Sequence, residues 1–271
     1  MDAAWYRRYL AMLGLEPAPP SLANLNAIIR AHRAIPFECV SSLIRRAAKM
    51  EGPVPSLDLN VLLDAWERRA GGGVCYEFGA MLGELLDHLG YQRAPNLARI
   101  SFPGSHSALI VYLPEGRHIA DVGNGQPIFE AIPIDTPFQF SRSGLGYRFW
   151  LDQSIGKLVQ DRQEHGEWKS YVWYDLEGAS DEEMEASIQR HHALPPMTFV
   201  MQNFRIVSCR EDLIIQLRDH DLIHYRATGK TTQEVYGLER YRQVVADEFG
   251  LTGLDVPKAL AAWVTVTGAK V

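Results

Sequence analysis

The sequence predicts an α+β protein, and three observations carry that expectation. Apolar residues recur at helical spacing through the first ninety or so positions. Short strand-like runs follow over residues 98–204, and a last group of strands ahead of a helix closes the pattern. With 271 residues, 46% of them hydrophobic, the chain has material for a sizeable core in one large domain or a few small ones.

Trp5, Tyr6, Tyr9, Leu10 and Leu13 share one helical face before Gly14. After the breaker Pro17-Ala18-Pro19-Pro20, a second face is formed by Leu22, Leu25, Ile28, Ile29 and His32, with Ser21 as N-cap. A loop is expected at Ile35-Pro36-Phe37-Glu38, then a helix over residues 58–69 with Leu59, Leu62, Leu63 and Trp66 apolar. A helical bundle is the simplest account of this part.

Gly71, Gly72 and Gly73 then lead almost directly into Cys75. Phe78, Met81, Leu82, Leu85, Leu86 and Leu89 form one helical face behind that cysteine, and Gly90 is a natural stop. Cys75 therefore falls in the first helical turn, where unpaired N–H groups and the helix dipole favour a thiolate. An arbitrary cysteine would be read as a small buried hydrophobe. Its place at a helix head, behind glycines that let a substrate approach the backbone, points to a nucleophile.

Residues 107–113 and 118–122 read as a hairpin around the turn 114–117, and residues 147–151, 157–160 and 168–174 continue as a meander or small barrel. Residues 175–193 read as a polar connection, interrupted by Pro195-Pro196. Strands are then expected over 204–208, 213–217 and 222–226, with a helix over 232–249 that stops at Gly250.

A cysteine nucleophile needs a base, and the base needs an orienting carboxylate. The hairpin offers His106 at its start and Asp121 at its end. With a two-residue turn at Glu115-Gly116, Asp121 pairs with Ile110 and shares a face with His106, but about 13 Å away. Contact then requires a bulge or a shifted turn that brings position 121 opposite 106, and that shift is expected. His88, His118, His191 and His192 read as surface or locally bonded residues.

Composition excludes several classes. A net charge of -6, with no basic cluster beyond the pairs Arg45-Arg46 and Arg68-Arg69, argues against a nucleic-acid partner. Cys39, Cys75 and Cys209 lie far apart without C-x-x-C spacing, so neither a disulfide framework nor a metal site is expected, and Cys39 and Cys209 read as structural. The N-terminal residues lack the apolar core of a signal peptide, and no apolar run reaches membrane-spanning length. A cytoplasmic protein without a membrane partner is expected.

Three motifs carry a resemblance. Gly72-Gly73-Val74-Cys75-Tyr76-Glu77, then His106 ahead of Ser107-Ala108-Leu109-Ile110-Val111, then Asp121-Val122-Gly123-Asn124-Gly125, together resemble the arylamine N-acetyltransferase family. Residues 9–15, His32 with Ile35-Pro36-Phe37-Glu38, and residues 240–251 extend the likeness over most of the chain. The resemblance implies a helical bundle (1–90) carrying the nucleophile, a β-barrel (91–203) carrying His106 and Asp121, and an α/β lid (204–271), around a cysteine-protease-like Cys-His-Asp core.

It also implies a reaction. An acetyl or other short acyl group passes from acetyl-CoA or another acyl-CoA to Cys75, then to an amine of the arylamine or hydrazine type, in ping-pong order. His106 handles the protons and Asp121 fixes its tautomer. Backbone N–H groups near Cys75, helped by the loop before His106, would hold the oxyanion, and no cofactor is bound. Phe37, Ser105 and Gly125 are expected to line the cleft, while Val74 and Asn124 stand where the family often has aromatic residues in the acceptor pocket. Glu38 and Glu77 are expected to brace the site.

The sequence departs from the family pattern at Gly71, where an arginine is usual, and at Gly79 and Cys39, where asparagines are. These departures, with Asn124, motivate a second reading: an amide synthase of secondary metabolism acting on a larger or carrier-bound acyl thioester, with an acyl carrier protein as partner. A transglutaminase- or papain-like cysteine hydrolase and a non-catalytic binding protein are the remaining readings.

Overall fold

The computed structural model describes residues 3–54, 58–164 and 166–270; Met1 and Asp2, the start of the stretch read for a signal peptide, lie outside them. Helices α1 (Ala3–Leu13) and α2 (Leu22–His32) form where the apolar spacing places them, and the Ser21 hydroxyl caps α2 by accepting the Asn24 N–H at 3.1 Å. The stretch expected to be a loop instead holds strand β1 (Phe37–Glu38), followed by helix α3 (Val40–Ala48). Helices α4 (Leu59–Glu67) and α5 (Cys75–His88) follow, with Asp58 capping α4. α1, α2, α4 and α5 bury Tyr9, Ile28, Leu63, Trp66, Phe78 and Leu82 in one cluster, which Leu109 and Val111 join from the sheet behind.

The sheet is antiparallel and eight-stranded: β2 (Gln92–Arg99), β3 (His106–Leu113), β4 (Gly116–Ala120), β5 (Ile132–Pro133), β6 (Phe138–Arg142), β7 (Leu145–Asp152), β8 (Lys157–Glu164) and β9 (Glu167–Asp175), in the order β5-β4-β3-β2-β9-β8-β7-β6. Ile119 of β4 and Ile132 of β5 share a buried cluster with Tyr147, Phe149, Leu158 and Val172 from the other half of the sheet. Strands so distant in the pairing order can meet only if the sheet curls, so it forms a near-barrel around those residues. β2 contains Pro95, which argues against a strand on sequence grounds. It is tolerated because β2 pairs with β9 only at Ala98 and Arg99, so no ladder bond to β9 is asked of residue 95.

Helix α6 (Asp181–His191) and the short α7 (Phe199–Gln202) occupy the stretch expected to be a polar connection and the segment after it. Ser180 and Glu183 make a reciprocal capping box: the Ser180 hydroxyl accepts the Glu183 N–H at 3.3 Å, and the Glu183 carboxylate accepts the Ser180 N–H at 2.8 Å. His191 and His192, expected in a loop, are buried at the end of this helix, because α6 turns His191 inward onto Tyr76 and His192 packs against His191.

Strands β10 (Arg205–Cys209), β11 (Ile214–Arg218), β12 (Asp221–Arg226) and β13 (Gly229–Glu234) make a second sheet, extended by β1 in the order β1-β10-β11-β12-β13. Helices α8 (Leu238–Phe249) and α9 (Val256–Thr267) complete the chain. The helix expected from residue 232 begins only at Leu238: residues 229–234 pair with β12, and Gly237 breaks the path at a φ of 79°. Gly250 ends α8 in the left-handed conformation, as expected. The core of this part gathers Val40 and Leu43 of α3 with Phe204, Leu217, Tyr241 and Trp263, and it reaches Cys75 and Tyr76.

Cys75 therefore lies where the clusters meet, and the glycines ahead of it set how closely they approach. Gly73 C=O accepts the Glu38 N–H at 2.9 Å, Gly72 N–H donates to the Glu38 carboxylate at 2.9 Å, and a Cβ on Gly72 would fall 1.8 Å from the Pro36 carbonyl oxygen. Gly79, on α5, would place a Cβ 3.5 Å from the Ser107 hydroxyl, an ordinary contact. Gly72→Ala should thus destabilise the protein by more than about 2 kcal/mol, since backbone must move. Gly79→Ala should be neutral or stabilise by up to about 1 kcal/mol through helix propensity. Urea unfolding of the two variants checks this, and equal midpoints would contradict it.

Candidate active site

Cys75 is the first residue of α5, and the first intrahelical bond runs from the Phe78 N–H to the Val74 carbonyl at 3.1 Å. The N–H groups of Cys75, Tyr76 and Glu77 precede that bond and have no carbonyl of their own helix to reach. The Glu77 carboxylate accepts the Val74 N–H at 2.8 Å and pairs with Arg45, which fixes the entry into the helix. Val74 has no polar side chain to return the bond. Glu38, fully buried, accepts from the Ser41 hydroxyl, the Ser41 N–H and the Gly72 N–H, so it ties the glycine run to α3. Both glutamates are thus spent on backbone and neighbours.

The hairpin register differs from expectation. Leu113 pairs with Gly116, so the turn residues are Pro114 and Glu115, and the last ladder pair is Leu109 with Ala120. Continuing that register sets Asp121 across from Ala108, on the same face as His106 and about 7 Å along the strand. Position 121 is therefore not opposite 106, and no bulge intervenes. The ladder ends before Asp121, and the two side chains lean across the remaining gap: His106 Nε2 donates to Asp121 Oδ2 at 2.7 Å. A one-residue shift of the turn sufficed.

The carboxylate is held from several sides. The Tyr174 hydroxyl donates to Oδ2 at 2.7 Å, the Gly123 N–H donates to Oδ1 at 3.1 Å, and Arg33 donates to the Asp121 carbonyl at 3.1 Å and to the Gln126 carbonyl at 3.0 Å. Burial pushes the Asp121 carboxyl up, but the charge and hydrogen bond of His106, with Tyr174 and Arg33, bring it below the usual carboxylate range. Burial alone would lower the His106 imidazole. The charge and hydrogen bond of Asp121, then the hydrogen bond and charge of Cys75, outweigh it and raise the imidazole to about 10. With Nε2 committed to Asp121, Nδ1 is the ring nitrogen left for the sulfur. Gly123 explains how the pieces come so close, since a Cβ there would sit 2.5 Å from Cys75 Cα.

Beside these three groups is a cavity of about 20 Å³, room for roughly one water molecule. Phe37, Val74, Ser105 and Asn124 line it, together with His191, Phe199 and Arg205 from α6, α7 and β10. Gly125, at a φ of 65°, packs behind the Phe37 ring instead. Ser105 accepts the N–H groups of Ile100 and Ser101 at 2.9 and 3.1 Å, which shapes the turn ahead of His106. Burial pushes the Cys39 thiol up, and that of Cys209 to about 11, so both stay protonated. Among the described residues no group of three or more His, Cys, Asp or Glu could hold a metal ion, and no helix is long and apolar enough to cross a membrane.

Sequence reasoning had not singled out Tyr174, Arg33, His191 or Arg205. Tyr174 was visible only as a strand residue, and no spacing ties it to Asp121. For His191 the signal existed, because the Ser180-x-x-Glu183 box marks α6 and so moves the histidine from a loop to a helix end.

A family model described as N-acetyltransferase matches residues 21–257. The arylamine N-acetyltransferase of Mycolicibacterium smegmatis is 26% identical over 281 residues, covering 93% of this chain and 96% of that protein. The solved Mycobacterium marinum arylamine N-acetyltransferase shares the fold, with a TM-score of 0.81 at 22% identity over 96% of this chain and 99% of that one. The same enzyme in complex with CoA gives a TM-score of 0.80 at 20% identity, covering 97% and 99%. By the span of that family match and the breadth of these likenesses, the chain belongs to the arylamine N-acetyltransferases, a family of transferases.

Proposed function

We propose that this enzyme moves an acetyl or other short acyl group from acyl-CoA to an arylamine or hydrazine through an acyl-cysteine on Cys75. The observation that carries the reading is the buried chain of contacts from Cys75 through His106 to Asp121 at the edge of a small cavity. In this reading residues 1–90 supply the nucleophile, 91–203 the base and its carboxylate, and 204–271 the lid.

The Cys75 thiolate attacks the thioester carbonyl carbon, forming the C–Sγ bond while the carbonyl oxygen takes up the negative charge. The N–H groups at the head of α5, that of Cys75 first, are the donors placed to hold this oxyanion. As the oxyanion collapses, the bond from carbon to the CoA sulfur breaks, and the leaving thiolate takes the His106 proton. An amine then attacks the acyl-cysteine, its N–H proton passes to His106, and the C–Sγ bond breaks to release the amide. Asp121 remains ionised throughout and keeps Nε2–H directed at itself, so that Nδ1 does the proton work. A cavity of about 20 Å³ supports small acyl groups over the larger chains of an amide synthase.

Mixing the protein with acetyl-CoA without amine should leave one acetyl group, located by peptide mapping on Cys75. Cys75→Ala should lower transfer by at least about a thousandfold. Acetylation elsewhere, or transfer surviving the substitution, would remove the nucleophile from the account.

Asp121→Asn should lower kcat/KM by roughly 10³- to 10⁴-fold, because the amide no longer favours the required tautomer. Its stability cost should depend on pH. The His106 pKa is raised from 6.5 to about 10, so the stabilisation is fully present below pH 6.5 and is lost as pH rises through about 10. The difference in urea unfolding free energy between the wild type and Asp121→Asn should therefore shrink from pH 6 to pH 10. A difference that grew over that range would be the wrong sign.

A further inference from the structure

Strand β13 ends the second sheet with all six of its residues exposed and a paired strand on one side only. One bond fixes the phase of that pairing, because the Val235 N–H donates to the His220 carbonyl at 2.7 Å. Antiparallel residue pairs alternate between bonded and unbonded. In the observed register, from Asp221 with Glu234 to Arg226 with Gly229, the N–H and C=O groups of Gly229, Thr231 and Gln233 therefore turn toward β12. Those of Lys230, Thr232 and Glu234 turn outward, where they meet no partner among the described residues.

The side chains of these three residues share one face of the sheet. Across that face Arg218 of β11 pairs with Asp221 of β12, and Asp221 with Glu234 of β13, so the row reads positive, negative, negative and then stops. Like charges directly opposite one another are unfavourable. At the other end of the strand Lys230 has only the Tyr225 ring, 5.7 Å from its ammonium, and neither Lys230 nor Glu234 forms an ion pair among the described residues. A lone lysine on an edge strand discourages pairing. Here the edge is complementary to itself, since Lys230 and Glu234 lie equally far on either side of Thr232.

We propose that β13 is a dimerisation edge, onto which a second copy of this chain adds its own β13 antiparallel with Thr232 on the two-fold axis. Lys230 of each copy then stands opposite Glu234 of the other, and Thr232 opposite Thr232. Every one of these pairs joins outward-turned groups, so each exchanges two backbone hydrogen bonds. The charge row across the face closes as positive, negative, negative, positive. Among the registers that match outward groups to outward groups, only this one opposes both lysines with both glutamates. The two five-stranded sheets become one continuous sheet. A strand this short falls below the roughly 1,200 Å² that marks a stable interface, so the dimer is weak and depends on concentration. Cys75, His106 and Asp121 lie on other elements, and the inference does not depend on the acyl-transfer reading.

Sedimentation velocity of the wild type should show monomer giving way to dimer as concentration rises through the micromolar range. Lys230→Glu sets glutamates against glutamates, and Glu234→Lys sets lysines against lysines, so each variant alone should associate at least about tenfold more weakly. Mixed in equal amounts, the two should form a dimer again, because every 230–234 pair across the interface is then opposite in charge. Should the variants fold poorly, amide hydrogen exchange in the wild type still decides. Exchange at Lys230, Thr232 and Glu234 should slow as concentration is raised, while Thr231 and Gln233, already bonded to β12, stay protected throughout. A dimer indifferent to both substitutions, variants that fail to associate when mixed, or exchange at those three amides that ignores concentration would overturn the proposal. So would a wild type that stays monomeric into the millimolar range, which would leave the edge to a strand of another protein.

Discussion

The hydrogen bond between His106 and Asp121 is the constraint on which the rest of the site depends. Both side chains are almost wholly withdrawn from water, at 2% and 0% exposure, and neither would carry a charge in that place without the other. The surroundings are arranged for the pair. Tyr174 and the Gly123 N–H share the carboxylate oxygens, Arg33 supplies a positive charge behind them, and the sulfur of Cys75 meets the far side of the ring. A buried pair of this kind contributes little net stability, and removing one partner leaves the other stranded. Its value is positional: it fixes which imidazole nitrogen faces the cysteine.

The fold delivers these groups from separate bodies. The cysteine belongs to a helix whose apolar face is buried in the bundle, while its first turn belongs to the core built on the second sheet. The histidine and carboxylate come from two strands of the near-barrel, at the end where their ladder stops. Backbone must meet backbone for this to close, and glycine is needed at both contacts: Gly72 against Pro36, and Gly123 against Cys75. β1 and α3 tie the junction further, because Phe37 and Glu38 pair with β10 while Glu38 holds the glycine run.

What could be read from the chain was local. The helix behind Cys75, its cysteine in the first turn, the cap at Ser21 and the stop at Gly250 follow from periodicity and turn chemistry, and the structure keeps them. The helices missed are those whose buried face is small. α3 hides polar Ser42 and Arg46 beside Val40 and Leu43, and α6 offers little more than Met184 and Ile188 to the core, so apolar spacing gave almost no sign of either. Register was the subtler matter. Asp121 lies within reach of His106 because the turn sits one residue earlier than assumed and because side chains lean beyond the last ladder pair, and neither is encoded in spacing. Tyr174 and Arg33 were illegible for a related reason: each acts on the site from a distant part of the sequence, and only tertiary packing brings it there.

The central claim is that Asp121 holds His106 as an imidazolium inside the protein. Carbon-13 labelling of the histidines and NMR titration of the His106 ring measure this directly. The account predicts a midpoint near 10, far above the ordinary 6.5, which falls when Asp121 is replaced by Asn. A ring that titrates at or below 6.5 in the wild type would contradict it, since burial would then outweigh the carboxylate.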